Sequence, residues 1–139
     1  MTEDRGKYRL LLADDHRDVL DEVCRLLTPE FEVLGTVEEG GALVRMAAEV
    51  RPDVAICDVR MPGLGGIEAG ERVLQASHAK AVVVLSTYNE PHLIQRALEA
   101  GIQAYVLKID AGEELIPAIH SALAGRKYLS RGVRVKWRG

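Results

Sequence analysis

The sequence predicts an α/β fold, a doubly wound five-stranded parallel sheet in the order 2-1-3-4-5 with helices on both faces. Three observations predict it. Five short apolar runs alternate strictly with five segments of helical periodicity. The run Ala81-Val82-Val83-Val84-Leu85 is continuously apolar and β-branched, as suits a strand covered on both sides. The connections are short, which calls for right-handed crossovers through the helices.

Tyr8 to Ala13 is the first strand, and it runs into Asp14-Asp15. Val19, Leu20, Val23, Leu26 and Leu27 recur at helical spacing before Pro29 stops the pattern. Phe31 to Val37 is mixed in polarity and reads as an edge strand. Leu43, Met46, Ala47 and Val50 mark the second helix, which Arg51-Pro52 ends. Val54-Ala55-Ile56-Cys57 is a buried strand that stops at Asp58, and a Met61-Pro62-Gly63 turn follows. Ile67, Gly70, Val73 and Leu74 suggest a third helix, weakened by its glycines. The strand Ala81 to Leu85 ends in Ser86-Thr87. The fourth helix carries Leu93, Ile94, Ala97 and Leu98, with Glu90-Pro91 at its start and Gly101 at its end. Ala104 to Leu107 is the fifth strand, ending in Lys108. Asp110 and Glu113 have the spacing of a capping box. Leu115, Ile116, Ile119, Ala122 and Leu123 form the fifth helix, and Pro117 implies a late start or a bend.

At 139 residues, one domain is expected. A net charge of −3 argues against a nucleic-acid module or a protein drawn to anionic membranes. No apolar run reaches the length of a membrane span, and the polar start Met1-Thr2-Glu3-Asp4-Arg5 has no signal-peptide core, so the expected location is the cytoplasm. Cys24 and Cys57 show neither metal nor disulfide spacing and read as reduced thiols in apolar surroundings. Residues 126–139 do not continue the pattern. They are basic, through Arg126, Lys127, Arg131, Arg134, Lys136 and Arg138, and read as the start of a linker or a cloning remnant.

In a parallel sheet the carboxyl ends of all strands share one edge, where ligands bind. Asp58 alone could be a helix cap or turn former. In the order 2-1-3-4-5, however, strands one and three are neighbours, which brings Asp14, Asp15 and Asp58 together. Three carboxylates in one crevice repel unless a cation intervenes, and a hard oxygen-seeking ion such as Mg²⁺ suits them. Lys108 adds an ammonium and Ser86 a hydroxyl from the same edge. That combination describes a site for phosphoryl transfer.

Asp14-Asp15, Asp58-x-x-Met61-Pro62-Gly63, Ser86 and Tyr105-Val106-Leu107-Lys108 resemble the signature of response-regulator receiver domains, which have the flavodoxin-like, CheY-like fold. The resemblance covers residues 7–125. Ala13-Asp14-Asp15-His16, Asn89-Glu90-Pro91 and Gly125-Arg126-Lys127-Tyr128-Leu129-Ser130 resemble the NarL/LuxR (FixJ) type. Ala104 stands where that type usually has glycine, and Ser86 replaces the commoner threonine.

The resemblance implies a phosphorylation switch of a two-component system rather than an enzyme. Asp58 would accept a phosphoryl group from a histidine kinase. Asp15 would ligate Mg²⁺ (or Mn²⁺) directly and Asp14 through water, with Asp58 and the Arg60 backbone carbonyl completing the protein oxygens. Lys108 and Ser86 would bind the phosphoryl group. Tyr105 would be the switch aromatic, half-exposed on the side of the fourth helix on a surface shared with Leu93 and Leu98. Homodimerisation on phosphorylation, and transcription control through a C-terminal DNA-binding helix-turn-helix absent from this sequence, are further implications. His16 could touch the site but is expected in the first turn of helix one, and His78, His92 and His120 are expected at the surface. Arg60 and Tyr88 lie just beyond Asp58 and Ser86.

Two other readings stay open. One is an interaction module on the same fold that needs no phosphate. The other is a flavin carrier, which would require a Gly/Ser/Thr-rich phosphate loop where this chain has Asp14-Asp15.

Overall fold

Strand register decides which strand ends meet. The computed structural model describes residues 6–136, and side chains only to residue 133 within the last helix. The polar start 1–5 and the last basic residue, Arg138, lie outside the described residues. Strands β1 (Arg9–Ala13), β2 (Glu32–Val37), β3 (Val54–Cys57), β4 (Ala81–Ser86) and β5 (Ala104–Leu107) pair in parallel in the order β2-β1-β3-β4-β5, as expected. Ala13 is in register with Cys57, and Ser86 with Leu107. Asp14 and Asp58 therefore leave the sheet at one level, while Lys108 follows β5 two residues further along the same carboxyl edge.

Helices α1 (Arg17–Leu27), α2 (Gly40–Val50), α3 (Gly66–Gln75), α4 (Pro91–Glu99) and α5 (Ala111–Leu123) fill the crossovers. Alternation along each strand sorts the apolar side chains into two layers. Leu10, Leu12, Ile56, Val83, Leu85 and Val106 pack with α1 and α5 residues such as Leu20, Leu27, Leu115 and Ile119. Leu11, Ala13, Ala55, Val82, Val84, Tyr105 and Leu107 pack with α2, α3 and α4 residues such as Leu43, Ile67, Val73 and Ile94.

The glycines that weaken α3 as an isolated helix have a positional reason. A Cβ on Gly66 would lie 1.6 Å from the Asp58 carbonyl oxygen, and one on Gly70 would lie 3.0 Å from Val82 Cγ1. The helix thus starts against the backbone of the Asp58 loop, and the Gly66 N–H donates to the Val59 carbonyl at 2.8 Å.

Two expectations change at α5. The helix begins at Ala111, ahead of Pro117, after a 3₁₀ turn over Lys108–Asp110. The capping box does not form: Asp110 has φ −100° and ψ 2°, not the extended backbone an N-cap side chain needs to reach forward.

The sheet also has a sixth strand. Residues expected to start a linker form β6 (Tyr128–Leu129), parallel to β5, and then α6 (Arg131–Lys136). The N–H groups of Tyr128 and Ser130 donate to the carbonyls of Gln103 and Tyr105, each at 3.0 Å. Ser130 Oγ accepts from the Leu107 N–H at 2.9 Å, and Val133 is fully buried. The outer edge of β5 would otherwise present unpaired backbone groups beside a buried layer, which is the driving force for this addition.

Candidate functional site

Each acidic residue at the carboxyl edge is set by backbone pairing. The Asp58 N–H donates to the Ala13 carbonyl at 3.0 Å, and the Asp14 N–H to the Val37 carbonyl at 3.1 Å. Asp14 and Asp58 are both 4% exposed, while Asp15 projects outward. Lys108 comes from the far side of β4. Its ammonium reaches between the two buried carboxylates, 2.8 Å from Asp14 Oδ2 and 3.1 Å from Asp58 Oδ2. Asp58 Oδ1 accepts from the Val59 N–H at 2.7 Å.

Burial, reinforced by the Asp14 charge, raises the Asp58 pKa although Lys108 pulls it down. Burial works against the Lys108 ammonium, but its hydrogen bond to Asp14 and the charge of Asp58 leave its pKa raised. One cation therefore holds two buried anions. The net charge of that trio is still negative, and the exposed Asp15 adds to it.

Ligand atoms of Asp14, Asp15, His16 and Asp58 all lie within 4.8 Å of one another. The donor set fits a divalent cation: the oxygens are hard and anionic, and the crevice opens outward at Asp15. His16 departs from its expected place in the first turn of helix one. It is the N-cap of α1, and its Nδ1 lies 3.0 Å from both Asp14 Oδ1 and Asp15 Oδ1. Its backbone N–H also donates to Asp14 Oδ1 at 2.9 Å. Contact with the site, the other place the sequence allowed for His16, is the one it takes, and the signal for it was adjacency to the acidic pair.

Ser86 is fully buried at the end of β4, and its Oγ accepts from the Tyr88 N–H at 3.0 Å. Tyr105 shares the face of β5 with Leu107, as alternation requires. It is not half-exposed, however: it is fully buried, and its hydroxyl donates to the Tyr88 carbonyl at 2.6 Å. Burial pushes that phenol up to about 12. Leu93 is buried, so it does not form part of the surface expected of it, while Leu98 is partly exposed.

Tyr88, noted in the sequence as lying just beyond Ser86, is thus a junction. Its N–H meets Ser86, its carbonyl meets Tyr105, and its ring lies 4.4 Å beneath the Arg60 guanidinium. Among the other histidines, His92 and His120 are exposed as expected, whereas His78 is half-buried with Nδ1 out of solvent.

Cys57 is buried behind Asp58, and burial pushes its thiol up to about 12. Cys24 is half-buried on α1. Among the described residues no helix is long and apolar enough to cross a membrane.

Comparison with known proteins agrees with this geometry. The model of the response regulator receiver domain matches residues 10–120. The chain is 34% identical over 124 residues to the response regulator GacA of Pseudomonas aeruginosa, covering 88% of this chain and 58% of that protein. It is 32% identical over 126 residues to the nitrate/nitrite response regulator protein NarL of Escherichia coli, covering 89% of this chain and 58% of that protein. The chain thus spans little more than half the length of these relatives. A crystal structure of a LuxR-family two-component response regulator from Aurantimonas superposes with a TM-score of 0.86 at 30% identity, covering 94% of this chain and 95% of that one.

Proposed function

The chain belongs to the response regulator receiver domain family, in its NarL/LuxR type, and from that premise we propose that it is a phosphorylation switch whose phosphoacceptor is Asp58. The observation that carries the proposal is the placement of that carboxylate. It is buried at the sheet edge, held by Lys108, and flanked by two further carboxylates that suit a divalent cation.

An Asp58 oxygen forms a bond to the phosphorus of a histidine kinase's phosphohistidine as the phosphorus–nitrogen bond breaks. The imidazole leaves and takes up a proton, and an acyl phosphate remains on Asp58. Asp15, Asp14, Asp58 and the Arg60 carbonyl would hold Mg²⁺, which supplies charge neutralisation for the phosphoryl oxygens. Lys108 shifts from pairing two carboxylates to pairing a phosphoryl oxygen, as a point charge that needs no fixed orientation. Ser86, buried at the end of β4, donates its hydroxyl to the same group.

The consequence for the surface starts at Tyr88. When the Ser86 side chain rotates so that its oxygen moves toward the phosphoryl group and away from Tyr88, the Tyr88 N–H loses an acceptor. Tyr105 is bound to the Tyr88 carbonyl and responds with it. The phosphoryl group thereby biases a pre-existing equilibrium around α4 and β5. Residues 7–125 act as the receiver. The signal leaves through residues 126–139 toward a DNA-binding helix-turn-helix outside this sequence, with dimerisation on phosphorylation, in the cytoplasm.

Intact mass after incubation with acetyl phosphate and Mg²⁺ tests the assignment. One added phosphoryl group is expected, and none in Asp58→Asn. Label retained in that variant moves the nucleophile elsewhere.

A further inference from the structure

We infer that residues Tyr128–Lys136 are a latch on the edge of β5, tied to the β4–α4 connection through Asn89 and released when Asp58 is phosphorylated. The inference rests on the phosphoacceptor reading above and adds a regulated segment to it.

The segment is short, and among the described residues Ser130, Arg131 and Val133 fasten it. β6 has two residues, and α6 has six among the described residues, far short of a helix that persists alone. Its hold comes from docking. Ser130 bonds β5 twice, through its N–H to the Tyr105 carbonyl and through Oγ from the Leu107 N–H. The Arg131 N–H approaches the two carboxylate oxygens of the buried Glu114 at 3.3 and 3.4 Å. Val133 fills the layer that contains Tyr105 and Leu107. A segment with this little buried apolar surface belongs to the low end of local unfolding free energies.

One contact joins the segment to the phosphoryl site. Asn89 Nδ2 donates to the Gly132 carbonyl at 3.2 Å. Asn89 follows Tyr88 directly and lies three residues beyond Ser86, inside the stretch that the Ser86 hydroxyl steadies. In this arrangement Asn89 Oδ1 is out of solvent with no partner among the described residues. A buried carbonyl oxygen without a donor opposes the docked state. The latch therefore combines a favourable bond and an unfavourable orphan on one side chain, in a segment of marginal hold. As the Ser86 hydroxyl swings toward a phosphoryl oxygen, the 87–90 backbone moves with Tyr88. Asn89 then leaves Gly132 and its carbonyl reaches water. The edge of β5 opens from Tyr105 to Leu107.

Amide hydrogen exchange on the whole chain, with and without beryllofluoride plus Mg²⁺, tests this. The Ser130 and Val133 amides are expected to exchange about tenfold faster with the additives, a loss of about 1.4 kcal/mol of protection. The Asp58 loop, residues 59–66, reports in the same experiment that the phosphoryl mimic has bound. In Asn89→Ala the loop should still respond while the change at Ser130 and Val133 disappears. Exchange at those two amides that stays constant or slows, while the loop responds, overturns the latch and leaves the phosphoacceptor intact. So does an Asn89→Ala protein that keeps the full response. A silent loop instead removes the phosphoacceptor reading, and the release with it.

Discussion

Replacing Gly66 by alanine should disable the site without touching any acidic residue. The added Cβ would sit 1.6 Å from the Asp58 carbonyl oxygen and 2.7 Å from its carbon. It must move by about 1.4 Å to reach even 3.0 Å, the shortest separation real Cβ atoms adopt. Both partners are backbone, so no flexible side chain can yield. Either α3 retreats from the sheet, unpacking Ile67 and Val73, or the Asp58–Arg60 loop shifts and carries the phosphoacceptor with it. Overpacking of this kind costs roughly 1–3 kcal/mol and more where the backbone must give. About 3 kcal/mol is a large share of the ~5–15 kcal/mol that holds such a domain together. At this chain length it lowers Tm by roughly 10 °C. Differential scanning calorimetry with and without millimolar-range Mg²⁺ is the assay. Gly66→Ala should melt lower and lose most of the Mg²⁺-dependent rise. Gly112→Ala is the control: nothing lies within 4 Å of its Cβ, it is exposed in α5, and it should gain ~0.5–1 kcal/mol. A Gly66→Ala protein with parental Tm and parental Mg²⁺ response would refute the claim that the start of α3 sets the position of Asp58.

Lys108→Met leaves Asp14 and Asp58 facing each other, so without Mg²⁺ it should lose about 3 kcal/mol in urea titration, and Mg²⁺ should restore more stability than it adds to the parent. Asp58→Asn should do the opposite in metal-free buffer. Burial raises the Asp58 pKa, so the ionised group weakens the fold at every pH above that raised value, and the penalty vanishes below the ordinary 3.8. The variant should melt higher than the parent near pH 7, with the gap closing as pH falls toward 4; a gap independent of pH sinks the argument. Cys57, its thiol pushed up to about 12, should resist a thiol-reactive dye at pH 8 until the protein unfolds, with Cys24 labelling first.

The elements legible in the sequence are those whose cause is local. Ala81 to Leu85 announces a doubly covered strand by itself, and Pro29 and Arg51-Pro52 end helices by backbone chemistry alone. The carboxyl-edge cluster was legible one step later, because strand order plus parallel direction places Asp14, Asp58 and Lys108 on one edge of the sheet without any knowledge of side-chain contacts. What stayed hidden has non-local causes. Tyr128-Leu129 is too short to show alternation, and it becomes a strand because β5 has a free edge twenty residues and more earlier in the chain. Alternation put Tyr105 on the correct face, but its burial depends on the Tyr88 carbonyl, a backbone atom that no residue type reveals. The Asp110–Glu113 pattern was a false signal, since the 3₁₀ turn needed to aim Lys108 at the carboxylates fixes Asp110 in a backbone conformation unsuited to capping.

The two borders of the sheet limit how copies of this molecule can meet. On one border β2 is half-buried along its whole length, and its pairing with β1 slips between Leu10 and Leu11. That slip skews the ladder, and Glu32 adds a charge at the strand's start. On the other border β6 ends after two residues and the chain coils into α6. The docked β6 therefore offers no long, flat, unpaired row for strand addition. While β6 is docked, growth of the sheet is left to the β2 border, where the slipped ladder and Glu32 stand against a further strand.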